Sequence, residues 1–237
     1  MAVPALCDFI LKQGPSRNIL NLEWGALWAL NKKYIDLDAA RHTAIVQADA
    51  VVCTVGGGVV PETKTILKPK YIKNPELGTK RVFQHSVILV EQLDAQSLLH
   101  GELITLMNWI NVSALSIRQE EGFKKVYGMM LELQPEGDVR KTKKLTWLAH
   151  VDTNLIPVDL VSFDHLITKD KLEKDDRLED FLATNTEFRT QAFADCNVIE
   201  LPKGAVIQFE RKGYYKLDVA YGEGERMVFF EIPSGKT

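Results

Sequence analysis

The sequence predicts a mainly β protein, of barrel or sandwich type, preceded by a short helical stretch. Three observations carry this. Beyond Thr43 the apolar residues alternate or run in short β-branched stretches. Turn signals such as Gly56-Gly57-Gly58, Asn74-Pro75 and Gly78 separate those stretches. With 237 residues, 46% hydrophobic and 26% charged, the chain can bury one large core or two small ones. Short strands with few long helices point away from a βαβ sheet.

Residues 3–13, VPALCDFILKQ, place Leu6, Phe9 and Ile10 on one helical face, and Pro4 suits a first turn. Gly14-Pro15-Ser16 stops this helix, and Asn21 is an N-cap candidate for the next. Trp24, Leu27, Trp28 and Leu30 then recur at spacings of three and four, a stripe expected to pack in a core. Strands are expected at Ala44–Val46, Val51–Val55 and Thr63–Leu67, with Gly56-Gly57-Gly58 as a hairpin tip. The glycines lack phosphate-loop spacing, and no helix pattern follows them.

The segment LKPKYIKNPELGTKRV is expected to be an irregular loop, because Pro69, Asn74-Pro75 and Gly78 interrupt it. Further strands are expected at Ser86–Val90, Gly101–Met107, Asn108–Ser116, Val126–Leu133 and Leu145–Leu148, with a short helix at Asp94–His100. Val158–Ser162, Val198–Leu201, Ala205–Arg211, Tyr214–Asp218 and Met227–Glu231 complete the pattern. Between them, Lys169–Asp180 has the mixed charge of an exposed helix or loop. No fixed internal repeat is visible.

The net charge is −3, yet Lys64 to Arg81 carries six bases against one acid, and Asp170 to Glu187 carries seven acids against three bases. A bound polyanion responds to the field within a Debye length, roughly 8 Å at physiological salt. The basic, Tyr71-containing segment fits a solvated loop and a nucleic-acid contact alike. Cys7, Cys53 and Cys196 are isolated and odd in number, as expected for free thiols in a reducing, cytoplasmic compartment. No 18-residue apolar run or signal-peptide pattern occurs, so neither a membrane helix nor secretion is expected. The five histidines are scattered without metal-ligand spacing, and neither a nucleophile elbow nor a reactive-cysteine signature appears. The paired acids Glu120-Glu121 and Asp175-Asp176 lie in polar surroundings unsuited to catalysis. These absences describe a binding module without a self-contained active site.

The segment NLEWGALWALNKKYIDLDAARHTAI, after VPALCDFILKQGPSRN, resembles the junction between helical stem and anticodon-binding region in cytosolic-type glutamyl-tRNA synthetases. The resemblance continues colinearly through KNPELGTK, GELITLMNW, KTKKLTWLA, FDHLITK, GAVIQFERKGYYKLD and FFEIPSGKT. Glutaminyl-tRNA synthetases share the architecture, but NKKYID, TLMNW and FDHLITK are closer to the glutamyl branch.

The resemblance implies two β-barrels behind a short α-helical stem: residues 1–36 as stem, 37–60 plus 150–237 as a discontinuous proximal barrel, and 61–149 as an inserted distal barrel. It implies a class I ligase joining glutamate to tRNA(Glu) with ATP and Mg. The HIGH-like and KMSKS-like signatures of its catalytic domain are absent from this sequence. On this basis the chain is expected to be a C-terminal portion that binds tRNA, needs no cofactor of its own and is catalytically silent. Other synthetases or assembly factors are expected as further partners, and the alternative functions are the same region of a glutaminyl-tRNA synthetase or a β-barrel protein-docking module.

The resemblance places Arg41, Gln208 and Arg211 around an anticodon base. Such bases can be splayed out and read on their edges by Arg and Gln. Tyr214, Tyr215 or Phe209 are stacking candidates, although Phe209 alternates with Gln208 and so suits the barrel interior. Lys73, Asn74, Lys80 and Arg81 fall in a loop expected near the anticodon, and Lys143 and Lys144 are phosphate-contact candidates. Glutaminyl members read the first anticodon base through arginines where this chain has Thr105 and Met107, so that contact is not carried over. Leu37 and Ala40 replace prolines usual beside Arg41, and Ile110 replaces a glycine.

Overall fold

The computed structural model describes residues 2–14, 24–57, 63–119, 125–169 and 172–234. Two helices open the chain, α1 (Ala2–Gln13) and α2 (Trp24–Asp36). The first half of the β structure comprises β1 (Ala40–His42), β2 (Ala44–Val46), β3 (Val51–Gly56), β4 (Lys64–Pro69), β5 (Thr79–Gln84) and β6 (Val87–Val90). After α3 (Gln92–Gln96) come β7 (Leu103–Leu106), β8 (Asn111–Gln119), β9 (Val126–Leu133), β10 (Lys143–Leu145) and β11 (Trp147–Ala149). The chain then forms β12 (Ile156–Phe163), β13 (Glu187–Ala194), β14 (Val206–Phe209), β15 (Gly213–Val219) and β16 (Met227–Ile232).

Two seven-stranded sheets result, and each begins and ends on halves of one extended segment. The proximal sheet runs β1-β14-β15-β16-β12-β13-β2, and β1 and β2 flank a break at Thr43. The distal sheet runs β10-β7-β8-β9-β3-β6-β11, and β10 and β11 flank Thr146. Each sheet therefore curls back towards its own first strand, giving the two barrel-like units. Both have the same sequence of parallel and antiparallel pairings around the ring. Each split strand precedes, along the chain, the five remaining strands of the other barrel. At the proximal break, the Asp195 carboxylate accepts the Thr43 N–H at 2.7 Å, and the Asp195 N–H donates to the Thr43 carbonyl at 3.0 Å.

Alternation supplies a core to each barrel: Ile207, Phe209, Leu217 and Phe229 in one, and Ile88, Ile104, Leu106 and Leu131 in the other. Ile45, Leu89 and Leu148, with Phe193 and Leu155 against them, pack the barrels together. The Val46 N–H donates to Glu91 across this seam at 3.0 Å.

Several expectations need correction. Val51–Gly56, expected in the proximal barrel, pairs with β6 and β9 in the distal sheet. The changeover thus falls between residues 46 and 51, because its apolar side chains Val51, Cys53 and Val55 enter the distal core. The expected irregular loop at 67–82 is instead largely the hairpin β4–β5, with Pro69 opposite Thr79 at its end and a 3-10 turn, Pro75–Leu77, at its tip. Its prolines and glycine lie outside the six-residue ladder or at its end, where they break no interior hydrogen bond. Cys196–Glu200 is a 3-10 turn, because the Asp195 side chain caps the Asn197 N–H at 3.1 Å. The short helix begins at Gln92. Trp24 and Trp28 stack with centroids 5.6 Å apart, but Trp24 is 59% exposed, so the stripe is not a core stripe. The expected N-cap Asn21 and the tip residue Gly58 lie outside the described residues.

Candidate nucleic-acid interface

Where α2 ends, the N–H groups of Asp38 and Ala39 turn back onto the Ile35 carbonyl, and the chain enters β1. His42 faces the core with no exposure, so Arg41 projects from the outer face. The residue is only 8% exposed. Its guanidinium donates to the Ala39 carbonyl at 3.0 Å, the Asp36 carbonyl at 3.1 Å and the Asp36 carboxylate at 2.7 Å. The Tyr71 ring lies 3.8 Å from its carbon, and Tyr214 lies 5.8 Å away. A stacked guanidinium is held in one plane, and three of its five N–H donors are committed.

Asp36 is the hub of this cluster, accepting from the hydroxyls of Tyr71 and Tyr214 as well as from Arg41. Burial alone would raise its carboxyl pKa. The Tyr214 hydroxyl, the Arg41 guanidinium and the Tyr71 hydroxyl outweigh burial and hold it below the ordinary range. Burial, reinforced by the Asp36 carboxylate, pushes the Tyr214 phenol up to about 12, so it remains a donor at neutral pH.

Parallel pairing sets Gln208 beside Arg41, and antiparallel pairing sets Tyr214 on its other side. Gln208 is half-buried, and its amide has no hydrogen-bond partner among the described residues. The strand stops at Phe209, short of the expected Arg211. Arg211 sits in the following turn at φ 66°. Its guanidinium grips Asp94 of α3 with both ends, one bond measuring 2.7 Å, and Lys212 pairs with Glu91, the residue that precedes this helix. Both pairs cross between the barrels. Phe209 and Tyr215 belong to the proximal core and offer no base-stacking face; Tyr71, unassigned from sequence, provides the stacked ring.

The hairpin β4–β5 leans on this patch. Its Lys70 carbonyl accepts the Arg41 N–H at 2.9 Å. Lys80, expected at the RNA surface, is 4% exposed; its ammonium donates to the Arg41 carbonyl at 2.7 Å and reaches Glu210 at 3.4 Å. Asn74 donates to the Leu37 carbonyl at 2.8 Å, and Arg81 pairs with Glu200 at 3.0 Å on the opposite arm. Lys73 is exposed, and together with Lys64, Lys68 and Lys70 its ammonium has no protein acceptor among the described residues. Lys143 is tied to the Ser97 carbonyl and to Glu102, and Lys144 to Thr142. The structure thus brings Arg41, Gln208, Arg211 and Lys73 together and sets Arg81 and Lys143 apart from them.

A groove of about 400 Å³ runs between the barrels, lined among others by Arg41, Tyr71, Lys73, Asn108, Gln208 and Arg211. It is wide, open and bordered by cations, stacked aromatic surface and uncommitted amides. That combination suits an unstacked base and its phosphate. Among the described residues no cluster of potential metal ligands occurs, and no helix is long and apolar enough to cross a membrane.

Two family models, each described as the anti-codon binding domain of class I tRNA synthetases (E and Q), match residues 39–133 and 144–218. Each match starts at a split strand and follows the chain, not the barrel, into the opposite unit. The chain belongs to this family of anticodon-binding domains. It is 49% identical over its full length to the cytoplasmic glutamate–tRNA ligase of Saccharomyces cerevisiae, covering 32% of that protein. The corresponding Arabidopsis thaliana protein is 41% identical over the full chain, with 33% of its own length covered. The bifunctional glutamate/proline–tRNA ligase of Cricetulus griseus is 34% identical over 93% of the chain, which corresponds to 14% of that protein. The chain therefore spans about a third of the length of the first two relatives.

Proposed function

We propose that the chain is the anticodon-reading part of a cytoplasmic glutamate–tRNA ligase, holding the anticodon loop of tRNA(Glu) in the groove between the barrels. The observation that carries this is the uncommitted Gln208 amide, placed by strand register beside the stacked Arg41 guanidinium. An amide offers both donor and acceptor to a base edge, and Arg41 retains two N–H groups for the same base. Lys64, Lys68, Lys70 and Lys73 supply phosphate contacts from the hairpin, positioning without reading sequence. Lys80 acts from within, holding the Arg41 backbone. Ligation of glutamate, with ATP and Mg, belongs to the remainder of the enzyme, and this chain needs no cofactor for its own part.

Anisotropy measurements with tRNA(Glu) and its anticodon stem-loop test the reading. Binding should weaken steeply with salt, and Gln208→Ala should cost about 1–3 kcal/mol against the cognate anticodon alone. Equal affinity of the wild-type chain for stem-loops with unrelated anticodons would overturn it. Association with other synthetases or assembly factors is a second reading. It is favoured by the exposed Phe163, Leu166 and Leu182 between and beside β12 and β13, of which Leu182 lies in the acidic segment and the other two just before it. Asp175→Lys with Asp176→Lys should abolish such docking and leave tRNA binding intact.

A further inference from the structure

Among the described residues only two that are not glycine have positive φ: Asn108 at 64° and Arg211 at 66°. They occupy the same place in the two barrels. The β1–β14 register pairs Arg41 with Gln208, and the β10–β7 register pairs Lys144 with Thr105. Three residues beyond Gln208 is Arg211, and three beyond Thr105 is Asn108. The hydrogen bonds around the two turns match. Glu210 N–H donates to the His42 carbonyl at 2.8 Å and Met107 N–H to the Leu145 carbonyl at 3.0 Å. Lys212 N–H returns to Phe209, and Trp109 N–H to Leu106, both at 3.0 Å.

The side chains of these equivalent residues are used differently. The Arg211 guanidinium is committed to Asp94. The Asn108 amide has no partner among the described residues, is half-buried, and borders the same groove as Gln208 and Arg211. The left-handed region restricts residue choice to Gly, Asn and Asp at low cost, and of these only Asn presents donor and acceptor together. The rest of the distal patch is closed: the Thr105 hydroxyl is bonded to Asn111 and Thr142, and Lys144 is bonded to Thr142.

We infer that Asn108 is a specificity-determining residue, reading the edge of one unstacked base of the bound RNA loop from the distal side of the groove. Gln208 and Arg41 face that loop from the proximal side. The inference rests on the anticodon-binding reading above and adds to it a residue and a second barrel. The left-handed backbone aims the amide out of the sheet, and Trp147 fixes the turn by donating its indole N–H to the Met107 carbonyl at 2.8 Å.

The test is Asn108→Gly, which keeps the positive φ without strain and removes only the amide. Wild type and variant are titrated with the cognate anticodon stem-loop and with three others, each changed at one anticodon base. The variant should lose roughly five- to hundred-fold in discrimination at one position and keep it at the others. Asn108→Asp, which retains the backbone and size but exchanges the amide donor for a second acceptor, should change the preferred base at that position. Unaltered discrimination at every position in both variants, with wild-type unfolding midpoints, would overturn the role of Asn108. Wild-type protein that binds all stem-loops equally would overturn the anticodon reading itself.

Discussion

The outer faces of the two barrels carry equivalent pairs, Arg41 with Gln208 and Lys144 with Thr105, at the same register of the same parallel ladder. On the proximal barrel the pair borders an open groove, whereas on the distal barrel the segment after β9 covers it. That segment approaches closely: Gly137 has φ 122°, a Cβ there would lie 2.9 Å from Leu103, and its carbonyl accepts from Asn111 at 3.2 Å. One topology thus carries an open polar surface or a closed one depending on a single covering segment. The cover also explains why the distal barrel reaches the groove through its turn. Only beyond β7, at Met107 and Asn108, does the chain emerge from beneath the cover and line the groove.

The largest effects are expected where equivalent core positions are emptied. Phe209 and Leu106 are both fully buried. Phe209→Ala should cost about 3–5 kcal/mol and Leu106→Ala about 2–5 kcal/mol. Because each barrel is completed by a strand that leads into the other, both variants should shift one common denaturant transition. Two separated transitions, one moved by each variant, would show barrels that fold independently.

The polar anchoring of the equivalent cations Arg41 and Lys144 should differ more. Asp36→Ala removes the acceptor of the stacked, buried Arg41 and should cost about 1–3 kcal/mol. Lys144→Ala should cost no more than about 1 kcal/mol, since its ammonium donates to the carbonyl and hydroxyl of nearby Thr142 and is not stacked between rings as Arg41 is. Equal losses in chemical denaturation would remove the distinction. On the RNA side, Thr105→Val should cost about 1 kcal/mol of stability through its lost hydrogen bonds and leave stem-loop affinity unchanged, the converse of Gln208→Ala.

Acid should act on the proximal patch specifically. The Asp36 carboxyl is held below its unfolded value, so its contribution is complete above about pH 4 and is lost as pH falls through the lower folded value. Asp36→Asn should therefore flatten the pH dependence of stability below about pH 4, whereas Glu102→Gln in the distal barrel should do so less. There burial opposes, and the Lys143 ammonium and the Leu99 N–H outweigh it, two donor groups against the three that hold Asp36. The smallest effect is expected from Lys73→Ala, which should reduce the slope of log affinity against log salt by about 1 and lower binding of all stem-loops alike.

The all-β character and most strands were legible because alternation is a local property. Val126–Leu133 is located to the residue, and Ile207 and Phe209 fall inside while Gln208 falls outside as the period demands. Strand ends were less legible where a single local bond decided them, as with the Asp195 cap that turns 196–200 away from extended structure. The hairpin at 64–84 was obscured by prolines whose positions at its tip and end only the pairing reveals. Within the site, residue type identified Arg41, Gln208 and Arg211. It did not show that Arg211 is spent on Asp94, that Lys80 is buried, or that Tyr71 stacks on Arg41. The motif LMNW contained Asn108, but its left-handed turn emerges only beside the equivalent turn at Arg211.

By itself the sequence determined the class of structure, the basic and acidic segments and the family, since composition, periodicity and colinear motifs are properties of the chain alone. The tertiary structure decided which barrel each segment completes and which polar groups remain uncommitted. Strand exchange between the barrels brings residues more than a hundred positions apart into one ladder, as with Arg41 and Gln208. No local pattern encodes whether a guanidinium meets a carboxylate or a groove, because the burial and pairing that settle it come from distant segments.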